Sequence, residues 1–317
     1  MPYRVTGAEF ARLSSLYRYG VLDTAAEPAI DAAVRTLAAR LDAPVAQLVL
    51  ADAQRFWVKS KVGAGEPAVP RGRGLVEEVL TQGPAYQTAL DRGEAMPPGQ
   101  QNMESFAGLR IVGSDDEALG VLYVADKYPR DFASEAAGPL ADAAAEILAI
   151  LESARRSRHD GGTGALEQAA FLDQARRLVE VSRAGRQRIS LVTFDLAPLR
   201  AGLERKGLGL GRLVVRHMAD LGRTQVRRRD TFGGLGADLF AILLTDTGEA
   251  GARTLAQRLA RHLDQGWADA GLAPEGPDLG IASMKPSSDD HTADALVTRA
   301  GMTRWTPVEI RPVARVA

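Results

Sequence analysis

Apolar residues recur at helical spacing along 27–41, where Ile30, Ala33, Val34, Leu37, Ala38 and Leu41 form one stripe. An earlier helix is predicted over 8–19. "VAQLVLAD" and "RFWVKSKVG" then read as two strands about a turn at Asp52–Gln54, and "GLVEEVLTQG" has the pattern of a short helix. "RGEAMPPGQQN" is rich in proline, glycine and glutamine and is read as a surface loop. "SFAGLRIVG" and "ALGVLYVAD" give two more strands, turning at "SDDE". Helices followed by antiparallel strands indicate an α+β module. A long alanine-rich helical pattern occupies 134–158, with Leu140, Ile147, Leu148 and Leu151 on one side. The glycines of "RHDGGTG" end it.

Beyond that break, helices and strands alternate. "LEQAAFLDQARRLVEVSRAG" is helical and "RISLVTFDL" a strand. "PLRAGLERKGLGLGRLVVRHMADLGRTQV" is helical on either side of a glycine-rich turn. "RRRDTFGG" and "ADLFAILLTD" are expected as two facing strands. A helix over "EAGARTLAQRLARHLDQGW", a strand at "PDLGIASMK" and a helix at "HTADALVTRAG" follow. This order predicts an α/β domain with a mixed central sheet surrounded by helices.

Composition narrows the chemistry. At 317 residues the chain has the length of two domains. Its 39 basic and 40 acidic residues give no overall attraction to nucleic acid or to a membrane surface, so any anion site is a local cluster. The absence of cysteine removes disulfides, thiolate metal sites and thiol nucleophiles, and suits a reducing compartment. His159, His217, His262 and His291 are scattered, with no metal-ligand spacing. No run has the length of a membrane span, and "MPYRVTGAEFARL" has no signal-peptide core. A cytoplasmic protein without membrane insertion is expected.

The densest local cluster is "RRRDTFGGLGADLF", three arginines and an aspartate running into glycines. A dinucleotide fingerprint would need a helix after its glycines, to offer free N–H groups to a pyrophosphate. A strand follows here, so the glycines belong to a hairpin. This layout places Asp195 and Asp238 at neighbouring strand ends, where two carboxylates could hold Mg²⁺ on a nucleoside triphosphate.

The second half resembles the GGDEF domain of diguanylate cyclases, which condense two GTP into cyclic di-GMP. "DGGTGALEQAAF" is similar to the family's entry motif, keeping Asp160, Thr163, Gly164 and Phe171. "FDLAPLRAGLERKGLGLGR", "GADLFAILL" and "LGIA" stand in order where the family has its metal-and-guanine stretch, its signature hairpin and a following strand. The departures are specific. Leu203 and Arg212 occupy the positions that hydrogen-bond guanine in the family. Leucine has no polar group to offer, and an unpaired guanine edge costs affinity. Arg200 and Leu208 replace a lysine and a histidine, and Leu239 replaces an acid. Ala237 stands where a glycine would admit a phosphate. Taken on these grounds, cyclase activity is expected to be lost and the chain not to be an enzyme, with Asp195 and Asp238 as vestigial metal candidates and no cofactor required.

The resemblance implies a second site. The family's inhibitory product site is an R-x-x-D motif five residues before the signature, and Arg227–Arg228–Arg229–Asp230 is followed by "TFGGL" and then "GADLF". Arg258, in "LAQRLARH", falls at a further family arginine on the next helix. Guanidinium groups present planar forks to phosphate oxygens and to the O6/N7 edge of guanine. Arg227, Asp230, Arg258 and Arg229 are therefore the expected cyclic di-GMP contacts; the alternative is a strand end rich in arginine that binds nothing.

"LYRYGVLDT", "FWVKSKVG", "FAGLRIV" and "ALGVLYVADKYPRDF" together resemble GAF domains, sensor folds whose ligands vary too widely for the fold to name one. Trp57 and Phe106 are candidates to line a pocket or to belong to the core. The expected layout is a GAF-like domain over 1–133, a connecting helix over 134–159 and a degenerate GGDEF-like domain over 160–317. The expected role is a cyclic di-GMP receptor acting through an unidentified effector protein, homodimeric through the connecting helix. A divergent cyclase and an adaptor that binds no nucleotide are the alternatives.

Overall fold

The computed structural model describes residues 6–72, 74–87, 96–97, 100–205, 216, 219–220, 222–269, 278–285, 292–302 and 304–305. The chain forms two compact units, Met1–Ser157 and Arg158–Ala317.

The first unit opens with α1 (Gly7–Tyr19). Thr6 caps it through Oγ1, which accepts from the amide of Glu9, and Gly20 ends it in the left-handed conformation. Pro28 sits in the first turn of α2 (Pro28–Arg40), where its missing N–H goes unused. The strands are β1 (Val45–Ala51), β2 (Arg55–Val62), β3 (Ala68–Pro70), β4 (Ala85–Gln87), β5 (Ser105–Val112) and β6 (Ala118–Asp126), with α3 (Leu75–Gln82) between β3 and β4. They form an antiparallel sheet in the order β3-β2-β1-β6-β5-β4. β1 is buried along its whole length, which explains its unbroken apolar run apart from Gln47. That amide is satisfied, donating to the Ala64 carbonyl at 2.8 Å and accepting from Tyr123 Oη at 2.8 Å. Gly120 is required where β6 pairs with Leu50 of β1, because a Cβ there would lie 2.0 Å from the Val49 carbonyl oxygen. Phe106 is fully buried and stacks on Tyr123, with ring centroids 5.4 Å apart.

The short α4 (Phe132–Glu135) leads into α5 (Ala137–Ser157). The helix expected as a connector belongs to the first unit: Leu140, Ala143, Ile147 and Leu151 are buried as it packs on α2 and β5. The apolar stripe that motivated a homodimer is covered by the chain's own core. At its last turns Glu152 accepts from Tyr19 Oη, from the Ser114 amide at 3.2 Å and from Arg155 Nε at 2.9 Å. Burial alone would raise the Glu152 pKa, but these hydrogen bonds outweigh it and hold it at about 2. Burial, reinforced by the Glu152 contact, pushes the Tyr19 phenol up to about 12. A carboxyl depressed by folding contributes stability above its unfolded pKa of about 4.3, and loses it as pH falls towards the folded value. Glu152→Gln is expected to lower the melting temperature at pH 7 and to narrow the loss of stability between about pH 5 and pH 2, as thermal melts across that range would show.

The second unit contains α6 (Gln168–Ala184), β7 (Ile189–Asp195), α7 (Ala197–Arg205), β8 (Thr231–Gly234), β9 (Leu239–Thr245), a long helix Glu249–Asp269, β10 (Asp278–Met284), a helix Ala293–Met302 and β11 (Arg304–Trp305). Its sheet order is β11-β10-β7-β9-β8, with antiparallel pairing at each of these neighbours. Parallel pairing among the described residues is confined to one bridge, Leu166 to Gly233. Phe194, Phe232 and Phe240, one from each of β7, β8 and β9, stack with centroids 5.6 to 6.2 Å apart. Ala252, Leu255, Ala256, Leu259 and Ala260 of the long helix join the same core. α6 and the 293–302 helix pack together elsewhere on the sheet, α6 against β8 and β9 and the 293–302 helix against β10 and β7. The chain is thus a two-unit α+β protein, as its pattern predicts.

Candidate functional site: the arginine cleft

Strand β8 begins at Thr231, four residues later than the pattern suggests. Arg227 to Asp230 form a turn instead, closed by the Asp230 amide donating to the Arg227 carbonyl at 2.9 Å. Strand alternation therefore does not apply to the arginines, and each side chain takes the direction the turn gives it. Arg227 and Arg228 are exposed and Arg229 is half-buried, its carbonyl accepting from Thr245 Oγ1 at 3.2 Å.

Asp230 is only 4% exposed. Its carboxylate accepts from the Thr245 amide at 3.2 Å and from the Arg227 amide at 3.4 Å. Burial is the largest influence on its pKa and raises it; those two hydrogen bonds and the charges of Arg229 and Arg227 act in the opposite direction.

Across from the turn runs the long helix, with Gly251, Thr254 and Arg258 on one side of it. Spacings of three and four residues place these groups on a common face. Turn and helix enclose a cleft of about 300 Å³, lined by Gln225, Arg227, Asp230, Thr247, Thr254 and Arg258, with Leu244, Leu255 and Gly251 completing its walls. Arg258 is steadied by donating to the Gln225 carbonyl at 3.2 Å. The structure thus gathers three of the four sequence-predicted residues, Arg227, Asp230 and Arg258, around one cavity. Arg229 is not among the residues lining it. Gln225, Thr247 and Thr254 escaped the sequence reading; the Thr254–Arg258 spacing, opposite the apolar stripe of the same helix, was the available signal for one of them.

The glycines beside the arginines have another purpose. A Cβ on Gly233 would lie 2.5 Å from the Phe171 ring, so this glycine lets α6 close on β8. Gly236 and Ala237 are exposed in the hairpin that joins β8 to β9, and that hairpin is followed by a strand.

Asp195 and Asp238 do stand at adjacent strand ends, since Asp195 pairs in register with Leu239. Asp195 Oδ1 accepts from the Ala197 amide at 2.8 Å, and Asp238 Oδ2 takes Arg200 Nε at 2.8 Å. A divalent cation at Asp238 would have to share or displace that guanidinium. Among the described residues no three histidine, aspartate or glutamate side chains gather as a metal cluster. Leu208, Arg212 and the "GLGLG" turn lie outside the described residues, as does the side chain of Leu203.

Residues 157–303 match the model of the family described as "Diguanylate cyclase, GGDEF domain". The match falls almost wholly within the second unit. The protein named "Probable diguanylate cyclase DgcE" of Escherichia coli is 33% identical over 101 residues, which are 32% of this chain and 9% of that protein. The chain thus spans under a tenth of that relative's length. The GGDEF domain of DgcB from Caulobacter crescentus, solved with c-di-GMP, is similar at 17% identity and a TM-score of 0.40, covering 46% of this chain and 86% of that one. A GAF domain from an Acinetobacter phosphoenolpyruvate-protein phosphotransferase is similar at 19% identity and a TM-score of 0.37, covering 47% and 95%. The expectation that the chain is not an enzyme is overturned by these findings, because both the matching family and the Escherichia coli relative are described as diguanylate cyclases. Among the described residues no helix is long and apolar enough to cross a membrane.

Proposed function

We propose that this chain is a cyclic di-GMP signalling protein whose GGDEF domain binds the dinucleotide in the arginine cleft. The observation that carries this reading is the meeting of Arg227, Asp230 and Arg258, apart in sequence, around one cavity of about 300 Å³. Two guanidinium groups on opposite walls suit a ligand that carries two phosphates and guanine edges. The hydroxyls of Thr247 and Thr254 and the amide of Gln225 add neutral hydrogen-bonding partners. Leu244 and Leu255 offer apolar surface to a base. The first unit is proposed as a GAF-like sensor, and ligand occupancy is passed on to an effector protein.

The family match favours a second reading, in which the same domain condenses two GTP into cyclic di-GMP with release of two pyrophosphates. Asp195 and Asp238 are then the carboxylates that hold the metal on the triphosphate. The cleft would take up the product of that reaction, so both readings share it. They separate on turnover of GTP with Mg²⁺, followed by chromatography: product that disappears in Asp238→Ala selects the second.

Equilibrium dialysis of the full chain against labelled cyclic di-GMP tests the cleft. Saturable uptake is expected, and none would refute the proposal. Arg258→Ala is expected to weaken uptake by about threefold to tenfold, since a charge-assisted contact at a half-open site falls at the lower end of its range.

A further inference from the structure

Strand β10 is covered unevenly. On one side it pairs with β7 along its whole length. On the other, β11 reaches only Leu279 and Gly280. Among the described residues, 281–284 therefore form an open sheet edge. Both faces of the strand are closed. Leu279 and Ile281 join the core beneath the long helix Glu249–Asp269. Gly280 turns the opposite way, where a Cβ would lie 2.1 Å from the Ala300 carbonyl oxygen of the 293–302 helix. The two helices thus stand as walls on either side of the edge, and between them lies a further cavity of about 340 Å³. Its floor is Ile281, Ala282 and Ser283; one wall carries Glu249 and Arg253, the other Arg299 and Met302. Consecutive residues of one strand point to opposite faces, so a recess lined by all three follows the edge rather than a face.

A strand edge presents the N–H and C=O groups of alternate residues, and these bind another extended chain by continuing the ladder. The walls select its chemistry, because they hold two positive groups and one negative. Arg253 donates twice to Glu249 Oε1, at 2.7 and 3.1 Å, but both side chains are more than half exposed. An exposed pair of this kind contributes little and rearranges readily, and a guanidinium has five N–H donors to share. Met302 is 80% exposed and offers adaptable apolar surface. We propose that the open edge of β10 docks an extended acidic segment of a partner protein, which adds a strand along residues 281–284 and sets carboxylates on Arg253 and Arg299. Side chains of an added strand alternate between the two walls, so adjacent acidic residues bring one carboxylate to each arginine. β-Branched residues on either side suit the extended backbone. The groove shares no lining residue with the arginine cleft, and the inference stands apart from cyclic di-GMP binding.

The test is fluorescence anisotropy of the full chain with a labelled, end-blocked six-residue peptide, an Asp-Glu pair flanked on each side by valine and threonine. Saturable binding is expected. Replacing the acidic pair by two lysines should weaken it more than about tenfold, and Arg253→Ala and Arg299→Ala should each weaken it about threefold to tenfold. Methylating the peptide's backbone nitrogens separates an added strand from a simple counter-ion, because it removes N–H donors and leaves the charge. Methylation of the alternate set that faces β10 should cost about tenfold or more, and methylation of the other set little. A thermal melt of each variant checks folding, and if Arg299→Ala does not fold, Arg253→Ala decides. The proposal is overturned by no saturable binding, by a lysine peptide that binds equally well, by arginine variants that bind as wild type does, or by equal binding of the two methylated peptides.

Discussion

Arg227→Ala is expected to weaken cyclic di-GMP binding about tenfold to a hundredfold, because a hydrogen bond to a charged group contributes roughly 1.5–3 kcal/mol and about 1.4 kcal/mol is tenfold. The exposed guanidinium lies on the cleft wall, whereas the turn closes through backbone atoms and the Asp230 carboxylate. Its loss should leave the melting temperature close to wild type. Arg228→Ala is the control. Arg228 is equally exposed and carries the same charge, but it does not line the cleft. A general basic patch would make the two substitutions equal, whereas a built site makes Arg227→Ala several times the more damaging. Calorimetric titration of both variants measures the difference, and equal losses would leave only the patch.

The largest effect on stability is expected at Phe194. Its ring is fully buried beside Phe232 and Phe240, each of the three rings in contact with the other two, and packs against Gly222, where a Cβ would lie 2.7 Å from Phe194 Cζ. Replacement by alanine removes one of the three rings of this cluster and leaves a cavity that the sheet cannot close. The cost is about 3–5 kcal/mol. For a unit of this size, that corresponds to a fall in melting temperature on the order of 10 °C. Phe194→Leu should cost much less, since it keeps most of the volume. Differential scanning calorimetry checks both, and a melt of Phe194→Ala within a degree or two of wild type would contradict this description of the core.

Elements with a long period were legible in the sequence. The stripe of α2 buries one face, and the strands β1, β7 and β9 are buried along nearly their whole length; burial is what writes such patterns into a sequence. Strands β3, β4 and β11, of two or three residues each, are too short to carry one. Helix α5 shows a different limit: its stripe was visible, but a stripe does not say whether it meets its own sheet or a second chain. Only packing on α2 and β5 decides that.

The site divides in the same way. The spacing of Arg227, Asp230 and Arg258 could be read because the family resemblance supplies it, and the structure brings all three to one cleft. The inward direction of Asp230 could not be read, because it depends on the Thr245 amide, a backbone group that no side-chain pattern reports. Gly233 falls in the expected strand, but its purpose beneath Phe171 could not be read, because that contact joins residues 62 positions apart in the chain. The three arginines matched the composition of a strand end, and a turn formed because Asp230 closes it on the Arg227 carbonyl.

A crystal structure of the full chain with cyclic di-GMP is the most direct test of the central claim. The account predicts the dinucleotide in the cleft between the 227–230 turn and the Glu249–Asp269 helix, with phosphate or guanine oxygens within hydrogen-bond reach of Arg227 and Arg258. Ligand bound instead beside Asp195 and Asp238, with the arginine cleft unoccupied, would contradict it.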